Sequence, residues 1–225
     1  MSKSFAWSFS ALDVFENCRK KYYHLKVLKK GDPDFFKDKD SDASRDGKFI
    51  HDAMFQRVIH GKLLPVQLRQ HEKTAAKFAD AKGEKHGEMK LALNAGFQPR
   101  DFFAKDVWVR AVIDLLIVRG DTVILVDWKT GKKRVRWDQL HLSAAVLSRY
   151  MPEIDHFKLV FAWLKDSEFS TAVLEKEELK GVWLNYLPRV NMITEAIKTT
   201  TFPANQTPLC GWCPVSSCPH HIERE

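Results

Sequence analysis

Two strand-like segments separated by a glycine turn limit what this chain can fold into. Residues 107–118 and 122–127 are mostly apolar, and Gly120-Asp121 between them is typical of a hairpin turn. Periodicity and turn residues predict the remaining elements. These are helices at about 10–22, 45–60, 66–83, 137–150 and 176–198, and strands at 89–93, 157–164 and 170–174.

The order helix, three strands, helix, strand predicts a mixed α/β sheet with helices packed on it. The 225 residues contain no repeat and no linker long enough to separate two domains. We therefore expect one domain over 1–225. Its parts would be a helical N-terminal part at 1–85, an α/β core at 86–175, and a C-terminal helix with a cysteine-containing tail at 176–225.

The apolar segments are too short to cross a membrane, and the N-terminal one contains Asp13 and has no small-residue cleavage site. These features predict a soluble, cytoplasmic protein.

Positive charge is concentrated in two segments. The chain has 36 Lys+Arg against 29 Asp+Glu, a net charge of +7, and the excess lies at 19–30 and 129–136. Such segments suit phosphate backbones, although a solvated helix face and an ordinary cationic loop would look the same. The acidic stretch at 32–46 is typical of a solvated loop. The candidate nucleic-acid contacts are Lys132, Lys133, Arg134 and Arg136.

Two carboxylates stand where strand residues should be apolar. Asp114 interrupts one strand, Asp127 ends the next, and Lys129 follows two residues later. Residues two apart in a strand point to the same side, so Asp127 and Lys129 face one site while Trp128 turns away. A hairpin would put Asp114 across from Asp127, where the two charges repel unless a cation lies between them. The pattern predicts magnesium or manganese held by both carboxylates and a backbone carbonyl such as that of Trp128.

A divalent metal ion beside a lysine suits phosphodiester hydrolysis. The ion would polarise the phosphate, and the ammonium of Lys129 would position water or stabilise the pentavalent charge. The plainer interpretation is an Asp-Lys ion pair that ends a strand, with Asp114 satisfied by a loop. The second strand with its own isolated Asp favours the metal site.

Four short motifs, in order along the chain, resemble those of the PD-(D/E)XK nucleases, in particular their RecB-like branch. The resemblance extends from about residue 8 to 219 and implies a restriction-endonuclease-like core. The motifs are Ser8–Leu12 with Cys18–Tyr23 for the N-terminal signature, Gly47–His51 for "G-x-x-x-H", Ile113-Asp114 with Val126–Lys132 for "hD…hDxKTG", and Gln139–Leu142 for the Gln motif.

The resemblance also implies roles for single residues. Asp114 and Asp127 would bind the divalent metal, and His51 would complete its coordination. Lys129 would be the catalytic lysine, while Gln139 would contact DNA or orient that lysine.

Two further positions fit the motifs less closely. Glu88, which opens the predicted strand at 89–93, matches a family glutamate only loosely. The family usually has a tyrosine four residues after the Gln, and this chain has Ser143 there. We expect that difference to affect the grip on DNA more than the chemistry.

Four cysteines, three of them in the tail and including a C-x-x-C, indicate a metal site rather than two disulfides. The chain is most similar here to CRISPR-associated RecB-like iron-sulfur exonucleases and their phage relatives. That similarity implies that Cys18, Cys210, Cys213 and Cys218 hold a structural 4Fe-4S cluster. Zinc held by the three tail cysteines and His220, or no metal with Cys18 in the core, are the alternatives.

The function expected from these features is a metal-dependent deoxyribonuclease, an exonuclease on single strands or DNA ends. It would serve DNA recombination, repair or processing in a bacterial or phage-infected cell. The alternatives are a catalytically weak DNA-binding scaffold and a structure-selective endonuclease. A helicase, a recombinase or a second copy of the chain would be its protein partners.

Overall fold

The computed structural model describes residues 5–28 and 42–222, with side chains from residue 45 onward in the second range. Backbone contacts divide the chain into two compact units. Residues 1–6 and 46–184 form the first unit, and residues 7–45 and 185–225 form the second. The one-domain organisation stays a prediction. In the part of the chain that the structure describes, no helix is long and apolar enough to cross a membrane.

The first unit contains the sheet and most of the helices. Six strands lie in the order β3-β2-β4-β5-β6-β7, and only β5 and β6 are parallel neighbours. The strands are β2 (Glu84–Asn94), β3 (Pro99–Arg100), β4 (Val107–Arg119), β5 (Thr122–Lys129), β6 (His156–Trp163) and β7 (Glu168–Glu175); the helices are α3 (Asp42–His60), α4 (Glu72–Ala79), α5 (Trp137–Leu147) and α6 (Leu179–Thr199), with 3-10 turns at Val66–His71 and Lys176–Glu178.

The parallel pair depends on a helix. Parallel strands need a crossover connection, and α5 supplies it between β5 and β6. The order of helix, three long strands, helix and strand is therefore present, with β3 and β7 added at the two ends. The predicted mixed α/β class and restriction-endonuclease-like core are confirmed.

The β4–β5 hairpin forms as predicted. Gly120 has φ +61°, the left-handed conformation that glycine adopts without steric cost, and the strands on either side pair in register. Leu115 pairs with Val126, so continuing the register by one residue sets Asp114 opposite Asp127. The hairpin thus brings the two strand carboxylates to one place.

One face of the sheet is covered by α3 and α4. Met54, Phe78, Val126 and Trp128 belong to one buried cluster there, and the Phe78 and Trp128 rings meet edge to face with centroids 5.0 Å apart. The buried residues of α5, such as Ala144 and Val146, are completely shielded from solvent. Apolar residues at helical spacing on these helices and at alternate positions on the strands account for this layering.

The second unit holds the N-terminal helices, the end of α6 and the tail. It contains β1 (Trp7–Ser8), α1 (Phe9–Asn17), α2 (Arg19–Tyr22), a π-helical segment at Tyr23–Leu28, and a 3-10 turn at Cys210–Trp212. Trp7 stacks on Tyr186 of α6 at 5.6 Å, and Glu16 pairs with Arg189 at 2.6 Å.

Three predictions of local structure were wrong. The helix predicted at 66–83 is a 3-10 turn at Val66–His71 followed by the shorter α4, and β2 already begins at Glu84. The helix predicted at about 10–22 begins earlier, with Ser8 as its capping residue, and extended backbone at Cys18 ends α1 before α2 begins. The acidic stretch was assigned to a loop, but α3 already includes Asp42 and Asp46. Residues 29–41, with the remainder of that stretch and Lys29 and Lys30 of the first basic segment, lie outside the described residues.

Candidate active site

Three side chains from three elements converge at one end of the first unit. His51 lies on α3, Glu88 on β2 and Asp114 on β4, and one ligand atom of each lies within 4.8 Å of the other two. The ligand atoms of an octahedral magnesium ion are about 3 Å apart when adjacent and about 4 Å apart when opposite, so these three groups would draw slightly closer to bind it. Each of the three is partly buried. The set could hold a divalent cation.

Glu88 reaches this group through an unusual backbone conformation. Its φ is +52°, which is uncommon for a residue with a side chain, and its neighbours Gly87 and Met89 pair with Leu115 and Ile113. By that register Glu88 lies opposite Asp114. Strained backbone of this kind persists only where the surrounding structure enforces it, and it is concentrated at functional sites.

Gly87 lets helix α3 approach the sheet closely. A Cβ at this position would lie 2.6 Å from Cε2 of Phe55 and 3.0 Å from Cγ1 of Ile59. Phe55 is one helical turn after His51, so both residues lie on the same side of α3. The absence of a side chain at Gly87 therefore helps to set how close His51 comes to Asp114.

A second group lies at the end of β5. The Lys129 ammonium is 2.8 Å from Oδ1 of Asp127 and donates to Oε1 of Gln139 at 2.9 Å, while Nε2 of Gln139 donates to Oδ2 of Asp127. Gln139 is in the first turn of α5. The Lys129 ammonium also lies 5.1 Å from the centre of the Phe161 ring. The three side chains thus hold one another in a closed set of hydrogen bonds.

A backbone amide connects the two groups. The N–H of Trp128 donates to Oδ2 of Asp114 at 2.8 Å, and His51 Nδ1 lies 3.4 Å from the same oxygen. The Trp128 side chain is buried on the opposite side of the strand, as the alternation predicts. The role proposed for its carbonyl stays a prediction.

Negative charge at this site is held at a cost. Burial, followed by repulsion from Asp114, raises the pKa of Asp127 to about 6, although Lys129 opposes the shift. Burial and the charge of Asp114 also raise the pKa of Glu88. Burial alone would lower the pKa of His51, but its hydrogen bond with Asp114 and the surrounding carboxylates raise it overall. A bound cation would relieve the repulsion that these shifts reflect.

The structure therefore brings together all five side chains to which the motifs gave roles. Sequence reasoning gave Glu88 only a loose match. The sequence offered one signal for Glu88, a charged residue next to a glycine at the start of a predicted strand. The positive φ of Glu88, which directs its side chain to the site, could not be predicted from the sequence. Ser143 is buried, and its hydroxyl donates to the Gln139 carbonyl at 3.2 Å, so it offers no surface contact in place of tyrosine.

The basic residues after β5 lie on the surface. Lys132, Lys133 and Arg134 are exposed, whereas Arg136 is half-buried and 3.5 Å from Asp138. Lys133 pairs with Glu168 at 2.5 Å. The loop can therefore meet an anionic polymer, with Lys133 already partly neutralised.

The four cysteines all belong to the second unit and are free thiols. Cys18 lies at the break between α1 and α2, and its Sγ accepts from the N–H groups of Lys21 and Asn205, each at 3.5 Å. Cys210 Sγ accepts from the N–H of Thr207 at 3.3 Å. Backbone amides aimed at sulfur are donors that thiolate ligands commonly use.

Cys213 links the remaining thiols. Burial raises its pKa, the Val215 amide and Lys21 oppose the shift, and the nearby Cys18 and Cys218 thiols add to it. The early cysteine is therefore close to the tail cysteines despite nearly 200 intervening residues. The thiols and their amide donors fit a metal centre.

Residues 6–219 match the family described as the PD-(D/E)XK nuclease superfamily. No curated protein sequence matches the chain.

Two solved structures match the chain at low sequence identity. A protein from Eubacterium rectale inferred to be an exonuclease is 14% identical, with a TM-score of 0.55, over 99% of this chain and 91% of the other. A second, SSO0001, is 12% identical, with a TM-score of 0.44, over 99% and 90% of the two chains. The first likeness supports the fold. Because the family match covers nearly all of the sequence, the chain belongs to the PD-(D/E)XK nuclease superfamily, whose members use divalent metal ions.

Proposed function

We propose that this protein is a divalent-metal-dependent deoxyribonuclease, acting as an exonuclease on single-stranded DNA or DNA ends. The convergence of His51, Glu88 and Asp114 within 4.8 Å carries this proposal. The adjoining Asp127–Lys129–Gln139 group supports it. The proposed setting is recombination, repair or DNA processing in the cytoplasm of a bacterial or phage-infected cell.

The reaction is hydrolysis of a phosphodiester. A water oxygen forms a bond to phosphorus, the bond from phosphorus to a sugar oxygen breaks, and a proton from the water ends on the leaving oxygen. His51, Glu88, Asp114 and Asp127 would hold magnesium or manganese, which when bound polarises the phosphate and makes water more acidic. These carboxylates would also keep a bound ion at a fixed position relative to Lys129.

Lys129 would stabilise the charge that develops on the phosphate oxygens. Asp127 and Gln139 use two of its three N–H donors, which leaves one for the phosphate or the water. Gln139 contacts both partners of the Asp127–Lys129 pair, so we assign it to orienting the lysine. A group held in advance pays no reorganisation cost when the reaction occurs.

End-labelled linear and closed circular single-stranded DNA distinguish the candidate functions. Each is incubated with purified protein, with manganese and with EDTA instead. An exonuclease degrades the linear strand with manganese and spares the circle. Cleavage of the circle would favour the structure-selective endonuclease, and cleavage in EDTA would contradict the metal-dependent site.

A catalytically weak DNA-binding scaffold, working beside a helicase, a recombinase or a second copy, is the alternative of a different class. The repulsion between the buried Asp127 and the partly buried Asp114 argues against it, because a site without a metal gains nothing from that repulsion. Tight binding of DNA with no cleavage in manganese or magnesium would favour it.

We further propose that Cys18, Cys210, Cys213 and Cys218 hold a structural 4Fe-4S cluster. The support is the amide donors to Cys18 and Cys210 and the closeness of Cys213 to Cys18 and Cys218. Hydrogen bonds to cluster sulfurs are a recognised feature of such sites. No three of these thiols come within 4.8 Å of one another in the described part of the chain.

Zinc with Cys210, Cys213, Cys218 and His220 is the competing proposal. Tetrahedral zinc holds its ligand atoms less than 4.8 Å apart, and no three of these thiols are that close to one another in the described part of the chain. Nδ1 of His221 is buried without a hydrogen-bond partner, so a histidine nitrogen is available in this segment. The similarity to iron-sulfur exonucleases and the participation of Cys18 favour the cluster.

Metal analysis of protein purified without oxygen separates the two. About four irons per chain, with brown colour that Cys18→Ala removes, would support the cluster. One zinc per colourless chain, unchanged in Cys18→Ala, would support the zinc site. A chain with neither metal would contradict both proposals.

A further inference from the structure

A groove lies on the sheet beyond the end of α4, with a cavity of about 490 Å³. That volume is within the range of about 300–1,000 Å³ typical of ligand-binding clefts. We call it the β7 groove. Its main lining residues are Lys77 and Phe78 of α4, Ile117 and Arg119 of β4, Ile124 of β5, Lys158 and Val160 of β6, and Phe169, Thr171 and Val173 of β7.

The groove is separate from the candidate active site. Ile124 is three residues from Asp127 on β5, and Ile117 is three residues from Asp114 on β4. Because side chains alternate along a strand, an odd separation puts each pair on opposite faces of the sheet. A ligand in the β7 groove would therefore lie across the sheet from Asp114 and Asp127.

The floor of the groove is apolar and partly open to water. Ile117 and Val160 are buried, Phe169 is half-buried, and Val173 remains 58% exposed. Helix α4 ends at Ala79 and leaves this end of the sheet uncovered. Apolar side chains exposed together, unlike scattered ones, indicate a surface that binds something.

Three cations stand around this floor. The Lys77 ammonium lies 4.2 Å from the centre of the Phe169 ring, and Nε of Arg119 donates to the Lys82 carbonyl at 2.5 Å. Lys158 is exposed between Ile124 and Val173 on the paired strands. The lining contains no carboxylate, and in the described parts of the chain none of the three has an acidic partner within ion-pair distance. The groove therefore favours a ligand with carboxylates.

The free edge of β7 adds a second kind of recognition. This strand is at the end of the described strand order, so its outer backbone groups have no neighbouring strand in the first unit. Edge strands are often protected by lysine or proline, but Phe169–Leu174 contains neither. Such an edge can accept an extended peptide through main-chain hydrogen bonds.

We infer that the β7 groove binds an extended segment of a partner protein in which acidic and large apolar residues share one face. The segment would add a strand to the edge of β7, its apolar side chains on Phe169 and Val173 and its carboxylates toward Lys77 and Lys158. A second copy of this chain fits less well, because Lys77, Arg119 and Lys158 of each copy would face those of the other.

A fluorescein-labelled heptapeptide tests this directly. Positions one, three, five and seven are Phe, Glu, Ile and Asp, and the intervening positions are Ser or Thr, so all four specific side chains lie on one strand face. Binding is measured by fluorescence anisotropy in EDTA without nucleic acid, which makes the result independent of the nuclease proposal. We expect saturable binding that weakens with salt.

Three comparisons identify the mode of binding. Lys in place of both acids should lower the affinity at least tenfold. Moving Phe and Ile to the intervening positions should lower it similarly, because acids and apolar groups then lie on opposite faces. Methylating alternate backbone nitrogens should abolish binding if main-chain bonds to β7 form, and unchanged affinity would overturn strand addition.

Protein variants identify the surface. Val173→Asp and the double variant Lys77→Glu/Lys158→Glu should each weaken binding about tenfold or more, with unchanged circular dichroism. Lys180→Glu, an exposed lysine of α6 outside the groove, is the matched control and should bind normally. Equal affinity in all variants, no binding by the wild type, or a dimer by light scattering that Val173→Asp dissociates would overturn the proposal.

Discussion

The candidate active site and the cysteine region differ in how far the polypeptide itself assembles them. The ligand atoms of His51, Glu88 and Asp114 lie within 4.8 Å because a helix and two paired strands fix their backbones. Three of the four cysteines lie in a tail whose only described regular element is a 3-10 turn at Cys210–Trp212. In the part of the chain that the structure describes, the thiols form no such close group.

This difference predicts that variants of the active site lose mainly activity, whereas variants of the cysteine region lose mainly stability. A site built by the fold should lose activity when a ligand is removed, while the fold survives. A site that gathers chain segments through the group it binds should lose stability when a ligand is removed, because metal-binding free energy is then folding free energy.

Lys129→Ala and Asp127→Asn should lower the rate of DNA cleavage by at least about 100-fold, as loss of a charge-stabilising group does in other enzymes. Asp127→Asn should leave the melting temperature unchanged or raise it, because it removes a buried charge that Asp114 repels. Cleavage assays and thermal melts of the metal-free protein measure both effects. Asp101→Asn, at an exposed loop position, is the control, and equal activity in all three would remove the assigned site.

Cys18→Ala should mainly lower stability, whereas the active-site variants should mainly lower activity. Loss of a ligand that joins the first helices to the tail removes a constraint on a loop of nearly the whole chain, so the melting temperature and the yield of soluble protein should fall together. Iron content and thermal melts on the same preparation check this. A variant that keeps its stability but loses its iron would show that the cluster does not support the fold.

Gly87→Ala should disturb the active site through packing. The new methyl group would overlap the Phe55 ring, with Cε2 only 2.6 Å away, so α3 must shift and carry His51 with it. We expect a loss of about 1–3 kcal/mol in the free energy of unfolding. The manganese concentration for half-maximal cleavage should rise severalfold.

The matched control is Gly181→Ala in α6, where a Cβ meets nothing within 4 Å. It should leave cleavage unaltered and stabilise the helix slightly. Equal metal dependence in both glycine variants would contradict the role given to close approach at Gly87.

Neutralising Lys132, Lys133 and Arg134 together should reduce the slope of log affinity against log salt by about 1.5–2 for single-stranded DNA. Lys133 should contribute least because Glu168 already pairs with it. Binding is titrated in EDTA at several salt concentrations, with Lys165→Gln as the exposed control. An unchanged slope would mean that this loop faces away from the DNA.

Regular patterns in the sequence predicted the parts of the site that lie on regular structure. Alternation along β4 and β5 and one glycine turn were enough to place Asp114, Asp127 and Lys129 together. The position of Glu88 could not be read, because it depends on a positive φ. That conformation reflects contacts made after folding, not local preference.

The same limit applies to the N-terminal helix and the groove. Ser8 and Ser10 are equally good capping residues, and the extended backbone at Ser8, whose side chain accepts from the Ala11 N–H, makes it the cap. The β7 groove is lined by residues from α4 and four strands, so it could not be predicted from any single segment of the sequence. The strands that line the groove were predicted. The groove itself exists because α4 ends at Ala79 and leaves part of the sheet uncovered, and that end was not predicted.

The central claim is that His51, Glu88 and Asp114 hold the metal ion on which cleavage depends. Calorimetric titration of manganese into metal-free protein, with cleavage measured at the same concentrations, tests it most directly. We predict saturable binding whose midpoint matches that of activity, and at least about tenfold weaker binding in Asp114→Asn and Glu88→Gln. Unchanged manganese affinity and cleavage in both variants would contradict the account.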